Sequence, residues 1–321
     1  MSAIMVTGAA GFIGTATTRA LLELGHDVVG VDSLTDYYDV TLKNRNLKSI
    51  TGNGFTFLQQ DLLDMDLHRA LDGVERVIHL AGQPGVRGSW GHQFDVYTQR
   101  NVLATQRLLE AAKEVGHIKK LVYASSSSIY GNAVAHPTFE TSVPSPVSPY
   151  GVTKLAGEHL TRLYAWNHGV PTIALRYFTV YGPGQRPDMA FTRFMTAAYT
   201  GGPITLFGTG EQIRDFTYID DVVRANIAAA VEFTEPGIAL NVAGGSNVSM
   251  NTVLAMIADK SGRDLNIERH AAVAGDVFRT GGSTDAIQEA LGWQPAVALE
   301  VGIERQLVWA ENLLSEAVQS R

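Results

Sequence analysis

The sequence predicts an α/β fold: a doubly wound parallel sheet, with a smaller α/β domain interleaved toward the C-terminal end. Three observations predict it. Short apolar runs alternate with amphipathic stretches through the first half, the pattern of strands joined by crossover helices. Three glycines cluster between the first apolar run and the first amphipathic stretch. After Arg176 the rhythm changes, and glycine and proline become dense over Gly182–Pro187 and Gly201–Gly210, as in long functional loops.

Strands are expected at Ile4–Thr7, Val28–Asp32, Phe55–Gln60, Val77–Ala81, Leu121–Ser125 and Thr172–Arg176. Helical patterns lie between them, at Ala16–Leu24, at roughly Phe94–Val115 and at Tyr150–Asn167. The last is entered through the proline-rich run Val143–Pro149 and stopped by Gly169. Further on, a strand-then-helix unit at Phe216–Glu232 and an apolar run at Ile238–Val242 read as returning to the first sheet. Helices at Met250–Lys260, capped by Ser249, and at Asp285–Leu291, ended by Gly292, complete the pattern. The expected division is therefore residues 1–176 plus 216–245 in the first domain, and 177–215 plus 246–321 in the second.

Composition narrows the chemistry. At 321 residues the chain suits one large fold or two modest ones. Its net charge of -7 and lack of any basic block argue against nucleic acid as a partner. The absence of cysteine removes disulfides, thiol nucleophiles and thiolate metal sites. The nine histidines show no metal-binding spacing, so no metal is expected. No apolar run approaches the roughly 20 residues that span a bilayer, so no membrane partner is expected and a cytoplasmic location follows.

The cluster Gly8-Ala9-Ala10-Gly11-Phe12-Ile13-Gly14 follows a strand and opens a helix. Glycines there permit a tight turn and close backbone approach to a pyrophosphate, with the helix N-terminus facing its charge. The second strand ends in Asp32, placed to accept from a ribose 2′-hydroxyl and to repel a 2′-phosphate. This is the Rossmann arrangement, and it favours NAD over NADP. Asp61-Leu62 after the third strand, and His79-Leu80-Ala81-Gly82 at the end of the fourth, face the same crevice. Taken alone, Asp61 reads as a helix cap and His79 as a satisfied core residue.

Tyr150 and Lys154 lie four apart on a helix and so share a face. A free phenol, with a pKa of about 10, is a poor base at neutral pH. A neighbouring ammonium and a positive nicotinamide would favour the phenolate. The serine run Ser125–Ser128 ends the fifth strand and can share the migrating proton.

With these residues in place the chain resembles an extended short-chain dehydrogenase. The resemblance rests on Gly8–Gly14, on the set Ser126, Tyr150 and Lys154, and on Asn101 in Asn-Val-Leu-Ala-Thr. The stretch Arg214–Asp221 and Gly275-Asp276-Val277 resemble the sugar-nucleotide epimerase branch. The likeness implies NAD held by the glycine loop, Asp32, Asp61, Leu62, Leu80–Gly82, Asn101, Tyr150 and Lys154. It also implies a nucleotide-sugar domain, and a homodimer through the helices near 94–115 and 150–167.

Within that branch the chain is most similar to UDP-glucuronate 4-epimerases. The likeness lies in Thr35–Tyr38, Gln83–Arg87 and Arg176–Gly182 followed by Arg186-Pro187-Asp188-Met189. Neutral-sugar epimerases of this branch usually carry asparagine at the position of Thr179. Dehydratases and decarboxylases carry an acid where Ser127 or Ser128 stands. Arg186 can supply a charge-assisted clamp for the substrate carboxylate, with Thr179 and Ser128 as hydroxyl donors; the alternative is a solvated loop arginine. Arg87, Arg193 and Arg214 would meet the diphosphate, Asp276 the ribose, and Thr205–Phe207 the uracil. The competing readings are a neutral UDP-sugar epimerase, a UDP-glucuronate decarboxylase, and a non-catalytic NAD-binding regulator.

Overall fold

The computed structural model describes residues 3–232, 234–273 and 275–319. The chain opens on β1 (Ala3–Thr7) and passes through the glycine cluster into α1 (Phe12–Glu23). Gly11 is extended at φ -80° and ψ 174°, so the helix starts at once, four residues before the apolar periodicity begins. Then follow β2 (Val28–Val31), α2 (Val40–Ser49), β3 (Phe55–Leu58), α3 (Leu67–Ala70) and β4 (Val74–His79). β4 sits earlier than expected, which frees Leu80–Gly82 to form a loop above the sheet edge.

The helical stretch expected over 94–115 is three pieces. α4 (Phe94–Tyr97) leads into a wide π-type turn at Thr98–Leu103 and then α5 (Ala104–Val115). Such a turn re-aims one side chain within a helix. Here it contains Asn101, whose amide accepts from Gln83 N at 2.7 Å and donates to Gln83 O at 3.0 Å and to Thr153 Oγ1 at 3.0 Å. β5 (Lys120–Ser126) and α6 (Pro149–His168) come next. Ser148 caps α6 by accepting from Gly151 N, Pro149 occupies the first turn, and left-handed Gly169 ends it.

The remainder is β6 (Thr172–Tyr177), β7 (Thr179–Tyr181), α7 (Ala190–Thr200), β8 (Pro203–Phe207), β9 (Ile213–Tyr218) and α8 (Ile219–Val231). After these come β10 (Ile238–Val242), β11 (Ser246–Ser249), α9 (Met250–Ser261), β12 (Asn266–His270), α10 (Asp285–Leu291) and α11 (Leu299–Gln319). Seven parallel strands form the main sheet in the order β10-β6-β5-β4-β1-β2-β3. Strand order reverses between β1 and β4, the position at which doubly wound sheets bind ligands beyond their C-terminal ends. β11, β9 and β7 form a second sheet, and β12 and β8 a third.

One expectation needs correcting. The strand containing Phe216 does not return to the first sheet; β9 pairs with β7 and β11 instead. Helix α8 packs against β4, β5 and β6, and β10 joins the main sheet beside β6. The return is made by the helix and the second strand.

Parallel strands covered on both faces should be apolar throughout. Ile4, Met5, Val6, Val77, Ile78, Leu121, Val122, Ile173 and Leu175 are fully buried accordingly. Several polar groups are buried with them, each satisfied. Arg176 and Glu158 form a bidentate pair with Nη2–Oε1 2.6 Å, and Ser125 Oγ donates to Glu158 Oε2 at 2.5 Å. Removing one partner of such a pair costs about 3–5 kcal/mol, because the other charge stays buried. Asp215 accepts from the backbone of Gly244, Gly245 and Gly282, and Asp221 from Ala296 and Val297.

His79 is 1 % exposed and belongs to the core. Thr105 Oγ1 donates its hydrogen to Asn101 O at 2.8 Å. His79 Nε2 therefore donates to Thr105 at 3.0 Å, and Nδ1 accepts from the Thr7 hydroxyl at 2.8 Å. Burial, and then the charge of Lys154, push the imidazole pKa down to about 3. The unfolded chain takes up this proton near pH 6.5 and the folded chain only near 3, so stability falls as pH drops through that window. In urea titrations from pH 7 to pH 3.5, a His79→Gln variant should lose less stability than the parent, by up to a few kcal/mol. An unchanged slope would show that His79 does not titrate as described.

Candidate active site

A cavity of about 780 Å³ lies across the C-terminal ends of the main sheet and reaches the second and third sheets. Every expected site residue except Asn101 and the core residue His79 lies in its wall. Asn101 is buried behind the wall, where its amide bonds the backbone of Gln83 in the loop after β4.

At one end the glycine cluster forms a cradle with no room for side chains. Gly8 has a φ of +72°, and a Cβ there would sit 2.9 Å from Ala81 N. A Cβ on Gly14 would sit 2.0 Å from Gly8 O. Asp32 is fixed from both sides, with Oδ2 accepting from Ala10 N at 3.1 Å and Oδ1 from Leu34 N at 2.8 Å. Asp61 accepts from Leu63 N at 3.0 Å, a local turn cap, and still faces the cavity beside Leu62. Phe12, Ile13, Leu80, Ala81 and Gly82 complete this end. The fit to NAD is chemical: a glycine cradle at a helix N-terminus for the diphosphate, and an acidic acceptor for the ribose. Two buried polar atoms in the wall, Tyr38 Oη and Gln212 Oε1, have no hydrogen-bond partner among the described residues and suit a polar ligand.

The middle of the cavity is set by α6 lying on β5. Tyr150 faces Ser126, whose hydroxyl is near enough to draw the phenol pKa down, Lys154 Nζ donates to Ala124 O at 2.9 Å, and Glu158 accepts from Ser125. Three successive turns of the helix thus engage three neighbouring residues of the strand. Burial holds the Tyr150 phenol above its ordinary pKa, against the Ser126 hydrogen bond and the charge of Arg186, which pull it down. Burial pulls Lys154 down to about 8. Tyr97 packs edge-on to Tyr150, with centroids 6.3 Å apart.

The far end carries the cations. Arg87 donates to Asp276 at 2.8 Å and lies 4.2 Å over the Phe207 ring. Arg214 is held by the carbonyls of Ile213 and Phe278; burial lowers its pKa, Asp276 raises it and Arg87 lowers it. Arg193, Thr205, Ser127, Ser128 and Thr179 line the same space. Arg186 is bidentate to Asp188, Nε–Oδ1 and Nη2–Oδ2 both 2.9 Å, and close enough to Tyr150 to affect its proton.

Several wall residues carried no readable signal in the sequence. Lys43 is 6 % exposed, donates to Thr35 Oγ1 at 3.1 Å and feels the Asp32 charge. A lysine in the polar segment Lys43–Lys48 reads as solvent-facing, and only the fold turns it inward. Arg100, whose Nη1 donates to Gln83 Oε1 at 3.1 Å, is a second such case.

Comparison with known proteins agrees with this architecture. The NAD dependent epimerase/dehydratase family matches residues 4–243. An uncharacterized UDP-glucose epimerase of Bacillus subtilis is 41% identical over 312 residues, covering 97% of this chain and 98% of its own. A UDP-glucuronate 4-epimerase of Thermodesulfobacterium geofontis is 38% identical over 319 residues, covering 97% of each chain. The crystal structure of UDP-glucuronic acid 4-epimerase from Bacillus cereus, in complex with UDP-glucuronic acid and NAD, superposes with a TM-score of 0.94. Its identity is 40%, over 97% of this chain and 99% of that one. The chain is a member of the NAD-dependent epimerase/dehydratase family.

Proposed function

We propose that the protein is a UDP-glucuronate 4-epimerase, interconverting UDP-glucuronate and UDP-galacturonate. One observation carries the choice of sugar: Arg186, Thr179 and Ser128 line one cavity with Tyr150, and Arg186 lies within electrostatic reach of it. A guanidinium and two hydroxyls there suit a C5 carboxylate and offer little to a CH₂OH group. Ser127 and Ser128 stand where dehydratases and decarboxylases of this family carry an acid, which disfavours those reactions.

In this reading Tyr150 takes the proton of the sugar 4-hydroxyl, with Ser126 bridging the two oxygens. NAD, held by the Gly8–Gly14 loop and Asp32, would supply reversible hydride chemistry at C4 with no net redox change. Lys154 favours the phenolate, and its bond to Ala124 O fixes where that charge sits. The 4-keto acid loses carbon dioxide when its C5–C6 bond aligns with the ketone π system. Holding the carboxylate on Arg186 keeps that bond out of alignment. Arg87 and Arg214 meet the diphosphate, with Arg193 beside them, while Asp276, Thr205 and Phe207 take the ribose and base.

Proton NMR of the protein with UDP-glucuronate should show UDP-galacturonate alone, and Tyr150→Phe should lower kcat by roughly 10²–10⁴-fold. Turnover of UDP-glucose in preference would move the assignment to the neutral-sugar reading. UDP-xylose would move it to the decarboxylase, and a fully active Tyr150→Phe would sink the proposed base. Because Arg186 pulls the Tyr150 proton off, Arg186→Met should shift the acid limb of kcat against pH upward. An unmoved limb would separate the two groups.

We also propose that the protein is a cytoplasmic homodimer. No described helix is long and apolar enough to cross a membrane. Val152, Leu163 and Trp166 lie on one exposed stripe of α6, with exposed Leu103 on the adjoining turn. Sedimentation should give a dimer, and Val152→Glu with Leu163→Glu a monomer. A monomeric parent would refute this interface.

A further inference from the structure

The segment Arg186-Pro187-Asp188-Met189 is a tight turn in which Met189 N donates to Arg186 O at 3.2 Å. Proline at the second position of such a turn presets its backbone and brings the flanking side chains to one side. The result is the doubly hydrogen-bonded contact between Arg186 and Asp188, two residues apart, on the cavity wall. Burial opposes the charge on Arg186, but the Asp188 bonds outweigh it and hold the guanidinium protonated. Asp188 is 39% exposed at the rim, whereas Arg186 is 18% exposed and turned inward.

A guanidinium has five N–H groups in one plane. Asp188 takes the Nε hydrogen and one Nη2 hydrogen, the side edge of the plane. The end edge, formed by Nη1 and the second Nη2 hydrogen, keeps the spacing a second carboxylate needs. We propose that Asp188 is the positioning residue for substrate selection, gripping one edge of Arg186 so that the other is presented to the sugar carboxylate. The idea rests on the UDP-glucuronate reading and deepens it. Two effects of Asp188 oppose each other. Its charge repels an incoming carboxylate, while its grip removes the rotamer freedom that Arg186 would otherwise lose on binding. The bidentate geometry, preset by Pro187, makes the second effect the larger.

The test measures dissociation constants of UDP-glucuronate, UDP-glucose and UDP by calorimetry on the NAD-loaded protein. The parent should prefer UDP-glucuronate to UDP-glucose. Asp188→Asn should weaken UDP-glucuronate roughly tenfold and leave UDP-glucose and UDP within about twofold. Pro187→Gly, which loosens the turn without removing a charge, should shift the same ligand in the same direction by less. UDP-glucuronate binding that is unchanged or tighter in Asp188→Asn would overturn the role of Asp188 and leave the substrate assignment standing. Equal weakening of all three ligands would also overturn it, because the loss would then be structural. A parent that binds the two sugars alike would overturn the substrate reading itself. A second readout is chemical: a slack carboxylate lets the C5–C6 bond of the 4-keto acid break. Its electron pair becomes the enolate of the C4 ketone, C5 takes up a proton, and carbon dioxide leaves. Asp188→Asn should therefore release carbon dioxide from UDP-glucuronate where the parent releases none.

Discussion

The seating of α6 on β5 is the contact on which the rest of the site depends. Tyr150, Lys154 and Glu158 are one helical turn apart, and each meets a residue in the Ala124–Ser126 segment. The first two contacts lie in the cavity, and the third lies behind it. Glu158 in turn holds Arg176 at the end of β6, whose Nη1 reaches Tyr130 Oη at 2.6 Å and Glu140 O at 3.0 Å. A buried ionic network is a costly way to hold two elements together, but it has one geometry where an apolar contact has several. The tyrosine and serine inherit their separation from it. Chemistry that passes one proton between two oxygens depends on that distance.

The parts of the fold that were legible in the sequence are those governed by local rules. Six strands and their crossover helices announce themselves as short apolar runs and amphipathic stretches, because parallel strands bury both faces. Ser148, Pro149 and Gly169 mark the ends of α6 as clearly as any motif. What could not be read is set by tertiary pairing. The sequence around Phe216 has the composition of a core strand, and nothing in it says which sheet it will join. The partners of β9 are β7, 34 positions before it at its first residue, and β11, across α8 and β10. The π-type turn at Thr98–Leu103 likewise exists because Asn101 must reach Gln83, a residue outside the helix.

The site was legible to the extent that its residues sit in contiguous motifs. The glycine cluster, the serine run and the Tyr150–Lys154 pair each carry their geometry in their spacing. Lys43 and Arg100 do not, since a long cation on a polar helix looks the same whether it faces water or a ligand. Motif membership also misleads in the other direction. In the stretch Arg214–Asp221, Arg214 and Phe216 line the cavity; Asp215 and Asp221 bind backbone amides from Gly244 to Val297. A conspicuous acidic motif is here a set of buttons fastening the C-terminal segments to the rest. Asn101 stands one layer behind the cavity wall in the same way.

The interleaving of the chain has a consequence for how the molecule exchanges what it binds. Between β6 and β11 the polypeptide leaves the main sheet at β7, re-enters it at α8 and β10, and leaves again. Asp215 adds amide bonds on either side of β11. A protein whose two halves meet through a single linker can open like a book, but this one is stitched along its spine. Exchange therefore cannot proceed by swinging one half away from the other, and the turns carrying Tyr37 and Asp188 border the cavity instead. The floor stays fixed throughout, so a sugar can turn over above a tyrosine and serine whose separation does not change.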